Sequence, residues 1–194
     1  TVQSFFLITF YVLTTLFICL LFLDAVLPPF PRLLAVYLQN TTLAITLLFL
    51  IHFAYHFPKV YPQNKWAARV SYIACSVNVA SETIYLVNRY IALLSENRVF
   101  YRTANMDLFT AITLLLAPIA FILQCLASDQ RKVNPIEKLI HPQGKNAQGT
   151  RNFIFIFGIL FLLGIINFLR SCNFLSTSVY NASLSIGVLF ALWM

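Results

Sequence analysis

Six side chains capable of polar chemistry recur at regular intervals within one long apolar stretch of the sequence. Their spacing alternates between four and three residues, which places them on one stripe of an α-helix. The six are Ser71, Cys75, Asn78, Glu82, Tyr85 and Arg89. Glu82 lies near the middle of the stretch, and a charge at the centre of a bilayer costs at least about 2.5–3.5 kcal/mol on insertion scales. We therefore expect Glu82 to face the inside of a helix bundle, either protonated or paired.

Other apolar stretches carry polar residues at a similar depth. Because a helix rises 1.5 Å per residue, Asp24 and Arg89 are predicted at matching depths, which favours an ion pair between them. By the same reasoning the partner of Glu82 is predicted to be Asn40 or Thr42. Gln39, Asn167 and Asn181 are predicted in the same outer half of the membrane.

This polar cluster has two interpretations. In the first, it forms a pocket that opens towards the outer face and binds a small polar ligand. The candidate ligand-binding residues are Asp24, Asn40, Asn78, Glu82, Tyr85 and Arg89. In the second, the polar groups only join helices, through hydrogen bonds worth about 0.6–1 kcal/mol each.

His52 and His56 are weak candidates for metal ligands. Their spacing of four residues places both imidazoles on one helix face, where they could hold one metal or one chlorin. The simpler interpretation is that they hydrogen-bond headgroups or backbone near the end of their helix. The apolar stretches contain no Lys for a retinal, and the chain has no Walker loop, nucleophile elbow or His-Glu-x-x-His motif. We therefore predict no cofactor, no catalytic residue and no enzymatic activity for this segment.

The composition is that of a membrane protein. Hydrophobic residues make up 60% of the 194 residues and charged residues 10%, against about 45–50% and 25% in soluble domains. This excludes a soluble enzyme or a nucleic-acid-binding domain as a description of the whole chain. The net charge of +7 is attributed to basic loops beside a membrane.

Six apolar runs approach the roughly 20 residues that a helix needs to cross the hydrocarbon core. The predicted spans are Ser4–Leu27, Leu33–Phe57, Trp66–Leu94, Leu108–Ala127, Phe153–Leu169 and Thr177–Met194. The prediction is an all-α polytopic bundle that forms one domain over residues 1–194. A short surface helix is predicted after Asn134, because Pro135 suits a first turn. Since the chain starts at Thr1 and stops in an apolar run, we expect it to be part of a longer polypeptide.

The positions of the basic residues predict the orientation. The second and fourth connections carry eight of them: Lys59, Lys65, Arg69, Arg131, Lys132, Lys138, Lys145 and Arg151. The other connections carry four, or five if Arg89 is included. Because cytoplasmic loops are enriched in Lys and Arg, both ends of the segment are predicted to be cytoplasmic, in a multi-pass protein of the plasma (inner) membrane.

Three short motifs resemble parts of the N-terminal multi-span sensory regions of some bacterial signalling proteins, typical of cyanobacteria and Chloroflexi. The motifs are His52-Phe53-Ala54-Tyr55-His56-Phe57-Pro58, Leu139-Ile140-His141-Pro142-Gln143-Gly144 and Ser183-Leu184-Ser185-Ile186-Gly187. Such regions precede histidine-kinase, nucleotidyl-cyclase, GAF or phosphatase output domains.

The resemblance implies a sensory or input module that relays a signal to a cytoplasmic output domain, as in two-component systems. The alternatives are a subunit of a larger membrane complex and a transporter. The expected partners are the lipid bilayer, a small polar ligand in the outer half, and a second copy or a larger complex. No nucleic acid is expected.

Overall fold

The computed structural model describes residues 2–94 and 104–172, together with Phe174 and Ser176. Every element within these ranges is helical, which confirms the all-α class. The helices are α1 Val2–Val26, α2 Pro29–His56, α3 Lys65–Leu94, α4 Ala104–Ser128, α5 Pro135–Ile140 and α6 Lys145–Ser171, with a single 3-10 turn at Pro62–Asn64.

Five of these helices are long and apolar enough to cross a membrane: α1, α2, α3, α4 and α6. They contain 25–30 residues, or about 38–45 Å at 1.5 Å per residue, which exceeds the roughly 30 Å of a hydrocarbon core. They correspond to the first five predicted spans. The sixth, Thr177–Met194, lies outside the described residues, so the number of six spans stays a prediction.

α2 and α4 form the centre of the described bundle. α1 and α3 pack against α2, and α4 packs against α2, α3 and α6. The buried apolar cluster includes Phe10, Leu50, Ile51, Phe53, Ala54, Ala117, Phe121 and Phe157. α1 and α6 bury the smallest share of their apolar windows, which places them at the periphery.

The end of α2 is joined to three neighbouring helices by hydrogen bonds to side chains and backbone. Gln3 of α1 donates to the carbonyl of His56 at 2.8 Å. Gln124 of α4 donates to the carbonyl of Tyr55 at 2.9 Å, and the Tyr55 hydroxyl lies 3.2 Å from the hydroxyl of Ser71 on α3. We call residues 52–58 the α2 junction.

Aromatic rings join the α2 junction to α4 and α6. Phe53 packs against Phe121 and Phe153, with centroid distances of 6.1 and 5.3 Å. Phe57 lies edge-on to Phe153 at 5.1 Å and close to Gly149, where a Cβ would be 3.6 Å from its ring. The α2 junction therefore contacts all four other long helices, which gives the first resemblance motif a structural role.

The fourth connection folds around one buried carboxylate, that of Asp129. Nε and Nη2 of Arg131 donate to it at 3.0 and 2.7 Å, and the backbone N–H of Gln143 donates at 3.2 Å. Arg131 also donates to the carbonyl of His141. Hydrogen bonds from the Arg131 guanidinium hold the pKa of the Asp129 carboxyl well below its usual range. His141 and Gln143, which belong to the second resemblance motif (residues 139–144), are thus held in place by Arg131 and Asp129.

The predicted short helix is confirmed as α5. Asn134 caps it, since its side-chain oxygen accepts from the backbone N–H of Ile136 at 3.2 Å, and Pro135 occupies the first turn. α6 then begins at Lys145, eight residues before the predicted Phe153. The first two turns of α6 carry polar residues on their exposed face, while Ala147 and Thr150 are buried. Packing against α4 therefore extends the helix beyond its apolar run.

Gly164 allows α4 and α6 to pack closely, because a Cβ there would lie 2.9 Å from the Leu115 side chain and 3.2 Å from its backbone nitrogen. We expect Gly164→Ala to lower the free energy of unfolding by about 1–3 kcal/mol through overpacking. Gly158→Ala on the same helix is the control, since nothing lies within 4 Å of its Cβ position. Thermal unfolding in detergent measures both, and equal effects would contradict this account of the contact.

Asp129→Asn should lower the unfolding temperature at neutral pH. A carboxyl whose pKa is lowered by folding stabilises the fold above its unfolded pKa of about 3.9, and loses this contribution as the pH falls further. The gap between wild type and Asp129→Asn should therefore narrow below about pH 4. Glu137→Gln is the control, because the exposed Glu137 carboxylate only approaches Arg131 at 3.9 Å. A gap that stays constant down to low pH would show that the charge of Asp129 is unimportant.

Candidate functional site

All six polar residues of the α3 stripe are buried. Their exposed fractions range from 0% for Cys75 and Asn78 to 7% for Arg89, and Glu82 is 1% exposed. The prediction that Glu82 faces the inside of the bundle is confirmed, and the other five residues of the stripe are buried with it. α3 achieves this because its other faces carry apolar residues that are exposed on the bundle surface, among them Ile73, Ile84 and Ile91.

The middle of the stripe is hydrogen-bonded to threonines of α4 and α2. Nδ2 of Asn78 donates to the Thr113 hydroxyl at 3.2 Å. The Thr110 hydroxyl lies 3.4 Å from both Oδ1 of Asn78 and Oε1 of Glu82. Thr41 of α2 lies 3.5 Å from the backbone carbonyl of Glu82. The side chains of Asn78 and Glu82 therefore link α3 to α4.

These threonine partners were not predicted from the sequence. The expectation was that Glu82 would contact Asn40 or Thr42 on α2. Thr41, which lies between them, contacts the Glu82 backbone, and Asn40 is half-buried. A side-chain contact between Glu82 and Asn40 or Thr42 stays a prediction. Threonine is common in apolar helices, so its presence in α4 gave no signal.

Arg89 lies at the other end of the stripe, beside two tyrosine rings that contact each other. Its Nε and Nη2 atoms donate to the Tyr85 hydroxyl at 3.1 and 2.9 Å. Its guanidinium carbon is 5.0 Å from the centroid of the Tyr85 ring and 5.5 Å from that of Tyr37, within the range of cation–π attraction. Tyr37 on α2 is therefore a site residue that sequence reasoning missed.

The remaining candidates of the predicted outer pocket are less closely associated with the stripe. Asp24 is half-buried on α1, a helix that packs against α2. Its ion pair with Arg89 stays a prediction, as does a ligand pocket formed with Asn40. The side chain of Asn167, and all of Asn181, lie outside what the structure describes.

His52 and His56 have packing contacts in the structure. The His52 ring stacks on Tyr72 at 4.1 Å and on Phe6 at 5.1 Å. Nδ1 of His56 lies within hydrogen-bond distance, 2.7 Å, of the His52 carbonyl. The described residues contain no group of three or more His, Cys, Asp or Glu side chains that could hold a metal. In the described structure His52 thus contributes ring stacking to the α2 junction and His56 a contact with the backbone.

Two cavities open at the end of the bundle where the second and fourth connections lie. The first has a volume of about 270 Å³ and is bounded by the α2 junction, the start of α3 and Gln124 of α4. The second, of about 640 Å³, lies between the two connections. Tyr61 lines both. The polar pocket was predicted at the opposite end, and nothing in the sequence marked Gln124 as a wall of a cavity.

Comparison of the chain with protein-family models, curated proteins and solved structures finds no match in any of the three. The resemblance to bacterial sensory regions therefore stays a prediction from three short motifs. Two of them have visible structural roles at the basic end of the bundle. The third, residues 183–187, lies outside the described residues.

Substitution of Glu82 tests the stripe. Glu82→Gln keeps an oxygen that can accept from Thr110, so we expect little change in stability. Glu82→Leu removes that acceptor and should lower the free energy of unfolding by about 1–3 kcal/mol. The control is Thr83→Val, because Thr83 is exposed and bonds within its own helix; its effect should stay within about 0.5 kcal/mol. If Gln is as damaging as Leu, the carboxyl group itself is required. Thermal unfolding in detergent gives all three values.

Proposed function

We propose that this chain is a membrane sensory or input module that relays a change in its outer half to a cytoplasmic output domain. One observation carries the proposal. Buried polar side chains follow the inner face of α3 from Arg89 to Ser71, and Ser71 contacts Tyr55 of the α2 junction. The stripe thus connects one end of the bundle to a segment that contacts every other long helix.

The hydrogen bonds of Thr110 support a relay with two states. Its hydroxyl lies 3.4 Å from acceptors on both Asn78 and Glu82, so one side chain of α4 contacts two residues of the stripe. A ligand that changes the environment of Glu82 would favour the contact with one of them over the contact with the other. Since a ligand shifts an equilibrium only through differential affinity for the two states, a shared donor of this kind provides a local difference on which it could act.

The proposed ligand is small and polar and binds in the outer half of the bundle. Arg89 and Glu82 supply the charged groups of this site, with Tyr85 and Asn78 between them and with Asn40 and Asp24 as the outer contributors. Any catalytic output domain would lie outside this segment.

We propose a sensor in preference to a transporter. Transporter sites are often formed by interrupted helices near the middle of the membrane, whereas α3 is continuous along its described length and α4 continues through Pro118. A subunit of a larger membrane complex is the remaining alternative, in which a partner would cover the exposed side of α1.

The proposal includes a plasma-membrane location with the basic end in the cytoplasm. Eight basic residues lie in the second and fourth connections and in the first turns of α3 and α6 that follow them, and the two connections line one cavity together. In the proposed orientation both connections lie on the same side of the membrane. The excess of Lys and Arg favours the cytoplasmic side, which would place both ends of a six-span segment there.

The experiment introduces cysteines at Gln63 and Asn146, both exposed at the basic end, in a chain with Cys19→Ala. The first measurement uses an impermeant thiol reagent on intact cells. We expect the exposed native Cys172 to react and the two introduced cysteines to stay unlabelled. The reverse pattern would contradict the orientation.

The second measurement places spin labels on the same two cysteines in a chain with Cys172→Ser, and records their distance distribution. A relay predicts that Glu82→Leu shifts this distribution although the labels lie at the other end of α3. The control Thr83→Val should leave it unchanged. If Glu82→Leu also leaves it unchanged while the chain stays folded, the relay is refuted and a rigid subunit is favoured.

A further inference from the structure

We infer that the cavity of about 270 Å³ at the basic end binds the headgroup of an anionic phospholipid that carries a hydroxyl group, of the phosphatidylglycerol type. This inference does not depend on the proposed sensory function. The lining residues that carry it are Tyr55, Tyr61, Lys65, Arg69, Tyr72 and Gln124. They combine two cations, three phenol rings and one amide around a space at the interfacial level of the bundle.

The two cationic side chains that line the cavity favour an anionic ligand. Lys65 and Arg69 are four residues apart in the first turns of α3, so they share a face, and both are exposed. Within residues 2–94 and 104–172 neither forms an ion pair, and the Asp129 carboxylate, which lines the other cavity, is held by Arg131. A phosphate between them would relieve their mutual repulsion, and guanidinium matches phosphate bidentately.

The side-chain oxygen of Gln124 favours a ligand that also carries a hydrogen-bond donor. Its Nε2 atom donates to the Tyr55 carbonyl at 2.9 Å, which fixes the amide so that Oε1 points the other way. Gln124 is 0% exposed, and Oε1 has no hydrogen-bond partner among the described residues. A buried acceptor of this kind needs a donor. A glycerol headgroup supplies a hydroxyl for Gln124 and a phosphate for Lys65 and Arg69.

The surroundings of the cavity favour a lipid over a soluble phosphate ester. The neighbouring stripe of α3 exposes apolar side chains at spacings of four, three and four residues: Trp66, Val70, Ile73 and Val77. Trp66 is 75% exposed, and tryptophan concentrates at the membrane interface. Acyl chains can lie along this stripe. The cavity is open on one side and has a volume of about 270 Å³, so a headgroup can enter it while the acyl chains stay outside.

The test titrates the full chain in detergent with lipids and counts bound molecules by native mass spectrometry. The lipids are phosphatidylglycerol, the zwitterionic phosphatidylcholine, and phosphatidylethanol, which is anionic but has no headgroup hydroxyl. Glycerol 3-phosphate is added as a soluble competitor. The variants are Lys65→Gln with Arg69→Gln and, as a control with the same loss of charge, Lys132→Gln with Lys145→Gln. Lys132 and Lys145 are exposed at the same end but do not line this cavity.

We expect phosphatidylglycerol to bind about tenfold or more tightly than phosphatidylcholine, and the Lys65/Arg69 variant to lose about tenfold or more of that affinity. The control variant should keep it. Gln124→Met should remove the preference of phosphatidylglycerol over phosphatidylethanol. Because the cation variants change only exposed side chains, their result stands whether or not the Gln124 variant folds.

Three results would overturn the inference. Equal losses in the two cation variants would mean general attraction to a basic surface. Displacement of phosphatidylglycerol by an equal concentration of glycerol 3-phosphate would mean a site for a soluble anion. Equal affinity for phosphatidylglycerol and phosphatidylcholine would mean that the cavity does not select an anion.

Discussion

The described bundle depends on the way in which the last two turns of α2 satisfy their backbone and side-chain hydrogen bonds. A helix ends with carbonyls that lack intrahelical partners, and in an apolar environment each must find another donor. The α2 junction meets this requirement with amides from two neighbouring helices, Gln3 and Gln124. Because each amide reaches across a helix boundary, the same bonds that satisfy the end of α2 also fix the positions of α1 and α4.

The polar stripe of α3 and the α2 junction stabilise the bundle in different ways. Apolar contacts alone discriminate poorly between helix arrangements in a lipid environment, because lipid tails are as apolar as leucine. Hydrogen bonds such as that of Asn78 with Thr113 specify which face of α3 meets α4. The aromatic contacts of Phe53 and Phe57 then fill the space at the junction. A few polar pairs therefore set which helix faces meet, and the apolar side chains pack around them.

The sequence predicts the helices and the buried face of α3 better than it predicts the side-chain contacts between helices. The stripe on α3 is readable because polar residues at helical spacing stand out in an apolar run, and five predicted spans match observed helices. Thr110 and Tyr37 could not be found in this way, since threonines and tyrosines occur throughout such runs. The hydrogen bond from Gln124 to the Tyr55 carbonyl corresponds to no pattern in the sequence from which it could be predicted. The early start of α6 was missed because its first turns are polar, although they pack on α4.

The contact of Gln3 with the end of α2 has a consequence for biosynthesis. Gln3 belongs to the first helix, but its acceptors are the carbonyls of His56 and Pro58, which are made more than fifty residues later. During synthesis α1 must therefore enter the membrane before its polar partner exists. Its sequence suits this interval, since the first charged residue of α1 is Asp24 and lipid can surround most of its length. The two bonds of Gln3 to the end of α2 can form only after residue 58 has been synthesised, so this polar contact is a late step in the pairing of α1 with α2.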